Sequence, residues 1–373
     1  MNLIVYAVPF FVLAILLELA YGLAKGRNTY RLNDSVSSLS LGVLSQAQRF
    51  VTLGAGGYVY YLLTEHFSLP LMDAGHWFTW VLAMVLYDFC YYWLHRMGHE
   101  RTILWAAHVA HHQSEDYNLT TALRQTSTGF LLGWLFFIPM YLLGIPAEVV
   151  VTVGALNLIY QFWVHTQHVP KLGWYEWFFV TPSNHRVHHA QNDRYMDRNY
   201  GGLFIIWDRL FGTFQEELDE EPVVYGIRGP LKSWSPVKAL THIYVDMAKD
   251  SWYTRNWRDK CKVWVSRTGW RPADVADQHR KRDAVESVCV ADHRVVRCSW
   301  SVDLTCEPGG GGDARPAPAL SAFDPYVKKP AMRSVRFGQI AFDSVICRRV
   351  LRCWPGLRLV EEFHCAPPRM ARR

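Results

Sequence analysis

The stretch HRMGHERTILWAAHVAHH, residues 95–112, sets histidine at 95, 99, 108, 111 and 112, and TPSNHRVHH at 181–189 adds 185, 188 and 189. The first pair reads HxxxH and both triplets read HxxHH. On an α-helix, residues at i, i+3 and i+4 share a face over one turn. The spacing therefore predicts helical segments on which each triplet turns three imidazoles toward a common point, with His95 and His99 adding two more. Neutral imidazole is a good ligand for iron, copper or zinc. Eight such ligands exceed what one ion with an open position accepts, whereas two ions with about four each leave room for oxygen.

The chain has sixteen histidines, and ten of them fall between residues 95 and 189. His165 is a ninth candidate ligand, because it sits where the chain is expected to return to the level of the other boxes; His168, three residues on, is a weaker one. His66, His76, His242, His279, His293 and His364 stand alone and read as ordinary surface or hydrogen-bonded residues. Soluble di-iron bundles use carboxylates in a Glu-x-x-His pattern, which none of the histidine boxes carries. Structural zinc takes four ligands, usually with cysteine among them. Histidine-only clusters beside apolar helices point instead to an oxidase acting on something dissolved in a bilayer, although copper and zinc satisfy the same spacing as iron. Glu100, Glu115, Asp116 and Asp193 lie next to the boxes and are candidate acceptors for fixing the imidazole tautomers.

Apolar runs surround the boxes. Leu3 to Leu23 carries a single charge, Glu18, and is long enough to cross a hydrocarbon core of roughly 30 Å. Val36 to Leu63 follows, interrupted by Gln46, Gln48 and Arg49, which must face protein or water. Trp77 to Leu94 is a third run. Gly129 to Ile145 and Val149 to Val164 form a helical hairpin broken at Gly144-Ile145-Pro146. Lys25, Arg27 and Arg31 follow the first span, Thr64 to His76 has no Lys or Arg, and Arg96, Arg101 and Arg124 follow the third. The positive-inside rule then puts the N-terminus outside and every histidine box in the cytoplasm.

The expected fold is all-α: integral membrane helices with a cytoplasmic helical cap that holds a histidine-rich dinuclear metal site. Residues 1–94 supply N-terminal transmembrane helices. Residues 95–270 form the catalytic region, including the membrane hairpin at 129–164. Residues 277–373, rich in Arg, Cys, Pro and Gly, read as an atypical disordered tail. The net charge of +6 suits a basic surface beside anionic headgroups. No basic stripe interleaved with aromatics argues for nucleic acid as a partner. Of the eight cysteines only Cys90 lies in the membrane half, none forms a CxxC pair, and a cytoplasmic tail is in a reducing compartment. A metal transporter or sensor is the rival reading of another class, and it requires polar residues continuing through the spans.

The boxes resemble those of the fatty acid hydroxylase/sterol desaturase superfamily of membrane non-haem di-iron enzymes, and within it the alkylglycerol monooxygenase branch. The resemblance runs from about Tyr87 to Trp270. It includes HRMGHE at 95–100, AAHVAHHQSEDYNLTTALRQ at 106–125, YQFWVHT at 160–166 and TPSNHRVHH at 181–189. RNYGG at 198–202, IIWDRLFGTFQEE at 205–217 and VVYGIRGPL at 223–231 are its more specific parts. Asn184 departs from the pattern, standing where a histidine is expected.

The resemblance implies that His95, His99, His108, His111, His112, His185, His188 and His189 bind two iron ions. It implies that Glu100 is a functionally important acid, that O₂ is co-substrate, and that tetrahydrobiopterin is the electron donor, with a redox protein as the other candidate. The implied reaction is hydroxylation of the alkyl carbon next to the ether oxygen of glyceryl ethers. A sterol or fatty-acyl desaturase or hydroxylase is the alternative within the superfamily. The implied setting is multi-pass in the endoplasmic reticulum or a bacterial inner membrane, with the active site cytoplasmic and a membrane lipid as substrate. Trp163, Trp174, Tyr175, Trp177, Phe178 and Phe179 form an aromatic stretch that suits either a substrate entrance or an interfacial belt.

Overall fold

The computed structural model describes residues 3–125, 128–278, 285–291 and 294–300. It divides into two units, Met1–Asp283 and Ala284–Arg373. The described residues of the first unit are built from helices and short turns. Helix α1 (Leu3–Ala24) precedes a long α2 (Leu32–Phe67) and α3 (Trp77–Glu100); α4 (Thr102–His112) and a single turn, α5 (Leu119–Ala122), follow. After α6 (Ile138–Leu142) and α7 (Ala147–Trp163) come α8 (Pro182–His188), α9 (Ile206–Leu210), α10 (Pro236–Tyr253), α11 (Trp257–Val265) and α12 (Ala273–Gln278).

Among the described residues α1 alone is long and apolar enough, by length and composition, to cross a membrane. Large apolar side chains nevertheless face outward on several elements, including Phe10, Leu13 and Leu17 on α1, Trp77, Val81 and Val85 on α3, and Val151 and Leu158 on α7. A belt of that kind marks a surface that is covered by something other than water. Together with the length and composition of α1, it is the surface expected of a membrane protein.

The hairpin departs from the expected pair of helices. Its first arm is two 3₁₀ turns, Gly129–Leu131 and Gly133–Phe137, before α6 begins at Ile138. Gly129 and Gly133 each cost roughly 1 kcal/mol of helix propensity, and Pro139 is tolerated only at a helix start, where it stands. The tip closes at Gly144, with φ +72° and a Cβ position 2.5 Å from the Pro70 carbonyl oxygen, so glycine is required there. Leu69 N–H donates to the Leu142 carbonyl at 2.8 Å and Met72 N–H to that of Gly144 at 2.9 Å, tying the tip to the link between α2 and α3. Ala83 and Cys90 of α3 pack with Met140, Ile145 and Val149 of the hairpin into the apolar core. The histidines lie at the opposite end of α3 and α7. α10 and α11 close over α4, where Ala106, Met247 and Val263 form a second small core.

Glu18, the one charge of α1, is only 8% exposed. Its carboxylate accepts from the hydroxyls of Tyr30 and Thr166 and, at 2.8 Å, from Leu119 N–H. α1 is thereby pinned to the start of α5 and to the residue after His165. Glu18→Leu would leave three buried donors without an acceptor. The expected cost is about 3 kcal/mol, read as a lowered thermal unfolding midpoint in detergent; an unchanged midpoint would remove this role.

In the second unit, Val285–Ala291 and Arg294–Trp300 pair as an antiparallel hairpin, with Val285 opposite Trp300 and Ala291 opposite Arg294. The sequence reading assigned no strand there; the valines of both segments suit strand pairing. Asp277 and Gln278, the first residues of the segment expected to be disordered, close α12 instead, and the rest of that segment, with His279, His293 and His364, lies outside the described residues.

Candidate metal centre

α3 ends on His95 and His99, α4 on His108, His111 and His112, and α7 is followed by His165. α8 begins at a capping box: Thr181 N–H donates to the Asn184 side chain at 3.1 Å. Asn184, which departs from the family pattern, thus fixes where α8 starts and so how His185, His188 and His189 are presented. The short helix α8 is buried throughout.

The nine rings sort into two groups, each of which could hold a metal ion. His95, His99, His108, His112 and His188 form one; His111, His165, His185 and His189 form the other. Within each group the ligand nitrogens all lie within 4.8 Å of one another. This corrects the expectation that each triplet converges on a single point. Residues i and i+4 do stay together, as in 95/99, 108/112 and 185/189. Neighbours such as His111 and His112 are about 100° apart around the helix, so each HxxHH straddles both groups. His165 joins the second group; its Nε2 is 3.0 Å from His185 Nε2 and 3.3 Å from His111 Nε2. His168 lies outside both, edge-on to Tyr21.

The tautomers follow from the partners. His95 Nδ1–H donates to the Tyr200 carbonyl at 2.8 Å, His111 to Arg124 at 3.1 Å, His165 to Gln161 at 2.8 Å and His188 to Arg198 at 3.0 Å. A neutral imidazole protonated at Nδ1 carries a bare lone pair on Nε2. His111 and His165 then aim two lone pairs at each other across 3.3 Å. Neither can donate, so the contact repels unless a cation lies between them. His99 Nε2 and His188 Nε2 are likewise buried without a partner. The donor set fits a metal ion in each group.

Burial holds these imidazoles neutral. His99, His108, His112, His185, His188 and His189 are driven well below the usual histidine range by desolvation first and by neighbouring histidines second. For His111, burial brings it down to about 4, opposed by its bond to the Arg124 carbonyl. The folded pKa is below the unfolded value of 6.5, so between about 6.5 and 4 the unfolded chain binds more protons. The metal-free protein is therefore expected to lose stability as pH falls through that window. Melting curves in chelator across it would test this; a flat profile would contradict it.

Glu100, Glu115, Asp116 and Asp193, expected as tautomer-fixing acceptors, are engaged by cations. Glu100 pairs with Arg96 at 2.8 Å, Asp116 with Arg31 at 2.5 Å, Glu115 with Arg31 at 3.6 Å, and Asp193 with Arg228. Backbone carbonyls serve the rings instead. Two of those carbonyls belong to RNYGG, and two acids missed in the sequence hold that loop. Asp208 accepts from Tyr200 N–H at 2.7 Å, Gly201 N–H at 2.8 Å and the Thr213 hydroxyl at 2.6 Å. Asp88 accepts from the N–H groups of Leu203 (2.7 Å) and Phe204 (2.9 Å), the Trp207 indole (3.0 Å) and the Asn157 amide (2.7 Å). A lone acid inside the third apolar run was the signal for Asp88, since such a group must be satisfied internally. At Gly201 a Cβ would sit 2.5 Å from the Phe204 carbonyl oxygen, which explains the first glycine of the pair.

A cavity of about 470 Å³ reaches the rings, with His95, His108, His111 and His165 in its wall and mostly apolar side chains elsewhere. Phe162 lines it, but none of the six residues of the aromatic stretch does. Trp174, Trp177 and Phe178 are instead exposed, at 74%, 67% and 50%, as an interfacial belt would be.

The fatty acid hydroxylase family model matches residues 80–213, which contain both histidine groups. The chain is 41% identical to the alkylglycerol monooxygenase of Homo sapiens over 269 residues, 71% of this chain and 59% of that protein. It is 40% identical to that of Danio rerio over 280 residues, 73% of this chain and 61% of that one. An ornithine lipid hydroxylase of Rhizobium tropici is 33% identical over 154 residues, 41% of this chain and 46% of that protein. The chain thus spans half to three-fifths of the length of the alkylglycerol monooxygenases it matches. No solved structure matches significantly.

Proposed function

The chain carries a fatty acid hydroxylase domain at residues 80–213, and on that premise we propose that it is a membrane di-iron monooxygenase that hydroxylates a lipid C–H bond with O₂. The favoured substrate is a glyceryl ether, attacked at the alkyl carbon beside the ether oxygen. The observation that carries the reading is the pair of buried histidine groups at the wall of an apolar cavity. Two iron ions held by the nine histidines would supply O₂ activation and removal of the hydrogen atom.

The protein's own part is positioning. The carbonyls of Tyr200, Arg198, Arg124 and Gln161 keep four imidazoles in the ligating tautomer. Glu100 acts as a positioning acid. It bonds Arg96, which donates to the Tyr92 hydroxyl at 3.2 Å; that hydroxyl pairs with Thr213 at 3.0 Å, and Thr213 with Asp208 beneath Tyr200. The apolar cavity admits an alkyl chain and keeps water from the reacting carbon. It makes a poor ion route, which disfavours a transporter.

The electron donor is proposed to be tetrahydrobiopterin, and the histidines are proposed to face the cytoplasm at the end of a multi-pass membrane region. Supplying membranes with a fluorescent alkylglycerol, tetrahydrobiopterin and O₂ should release a fatty aldehyde. Oxidation of sterol or acyl lipids with no turnover of alkylglycerol would overturn the ether-lipid assignment.

A further inference from the structure

The cavity has a direction. On α1 its wall is Ile4, Val8, Phe11 and Val12, and on α2 it is Leu39, Gly42 and Val43 together with the polar Ser45 and Gln46. Ile4 is 7% exposed, although most of α1 faces outward. Glu18, bonded to the residue after His165, marks the level of the metal centre on the same helix. On α1 the wall residues, from Val12 back to Ile4, span ~12 Å at 1.5 Å per residue, so this arm of the cavity leads away from the level of Glu18 and the histidines. The other end is different in character. Gln125 follows Arg124, whose carbonyl takes the His111 ring, so the polar group of Gln125, Thr128 and Tyr244 in the wall belongs to the histidine end, the Tyr244 hydroxyl donating to Thr128 at 2.9 Å. Val12 and Val43 belong to the wall yet are 49% and 72% exposed, on the side where α1 shows its apolar face. The cavity is therefore open between α1 and α2 toward the surface that lipid would cover.

We propose that this cavity takes one unbranched alkyl chain of a bilayer lipid, admitted sideways between α1 and α2. Its terminal methyl lies toward Ile4 and its headgroup lies at Gln125, Thr128 and Tyr244. The assignment rests on the lipid-oxygenase reading and makes that reading more specific. A chain so placed brings the carbon nearest its headgroup past the histidines and keeps its far methyl away from them. Ile4 and Val8 then set the chain length the site accepts.

Photolabelling tests this without turnover. Two alkylglycerols, one with a diazirine at the chain terminus and one with it beside the ether oxygen, are irradiated with the full chain in phosphatidylcholine vesicles, and the adducts are mapped by mass spectrometry. The terminal probe should mark Ile4 and Val8, and the ether-side probe should mark the 119–125 segment or Tyr244. Both signals should fall on addition of unlabelled lipid. Val8→Trp should suppress the Ile4 adduct and raise KM for long chains over short ones by ~10-fold, the scale on which pocket size discriminates. Labelling confined to the outward residues Phe10, Leu13 and Leu17, or the two probes exchanged, would overturn the proposal. Correct labelling without oxidation of alkylglycerol would leave this site standing and count against the ether-lipid reaction. Oxidation with labelling elsewhere would do the reverse.

Discussion

His111→Ala and His112→Ala, substitutions at adjacent positions, are expected to empty different metal positions and to differ in severity. Loss of His111 leaves its group three imidazoles, His165, His185 and His189. Loss of His112 leaves four, His95, His99, His108 and His188. Bound iron should fall by about half in His111→Ala and by less in His112→Ala, since the first change removes one ligand of four and the second one of five. Under the proposed function, monooxygenase activity should fall by at least ~10²-fold in His111→Ala, because oxygen chemistry shared by two ions needs both. Elemental analysis of the two variants, purified side by side, checks this. Equal losses would mean that the two residues serve one ion.

The second large effect is expected away from the rings. Asp208 touches no histidine, but it holds Tyr200 and Gly201 N–H groups and so aims the Tyr200 carbonyl at His95. Burial raises its carboxyl to about 6, and its three donors oppose that shift. Asp208→Ala would leave those donors buried and unpaired, at a cost of about 3 kcal/mol. It would also release His95 from its tautomer, with metal affinity expected to drop ~10–100-fold. Asp208→Asn, which keeps an acceptor oxygen, should recover part of both. The readout is iron retention against a competing chelator together with the unfolding midpoint. An Ala variant that holds iron as tightly as the parent would show that the loop needs no anchor.

What could be read from the residues, and what could not, follows from how each feature is encoded. The histidines announce themselves because imidazole at helical spacing has few other uses, and all nine meet in space. Their division between two groups was hidden, because grouping i, i+3 and i+4 as one face ignores the rotation separating His111 from His112. Glu18 was visible as one charge in an apolar run, though its partners Tyr30, Leu119 and Thr166 are distant in sequence. The acceptors for the rings were not visible at all. A backbone carbonyl has no side-chain signature, and the nearby carboxylates that seemed suited to the task are paired with arginines. The first arm of the hairpin misled for a simpler reason: apolar composition outweighed Gly129, Gly133 and Pro139 in the reading, whereas local backbone preference decided the fold.

The claim on which all of this depends is that the nine imidazoles hold two metal ions. Its most direct test is iron per chain in the purified protein after anaerobic loading and removal of excess metal. The geometry predicts about two ions per chain and about half that in His111→Ala. A parent protein that retains one ion or none under saturating conditions would contradict it.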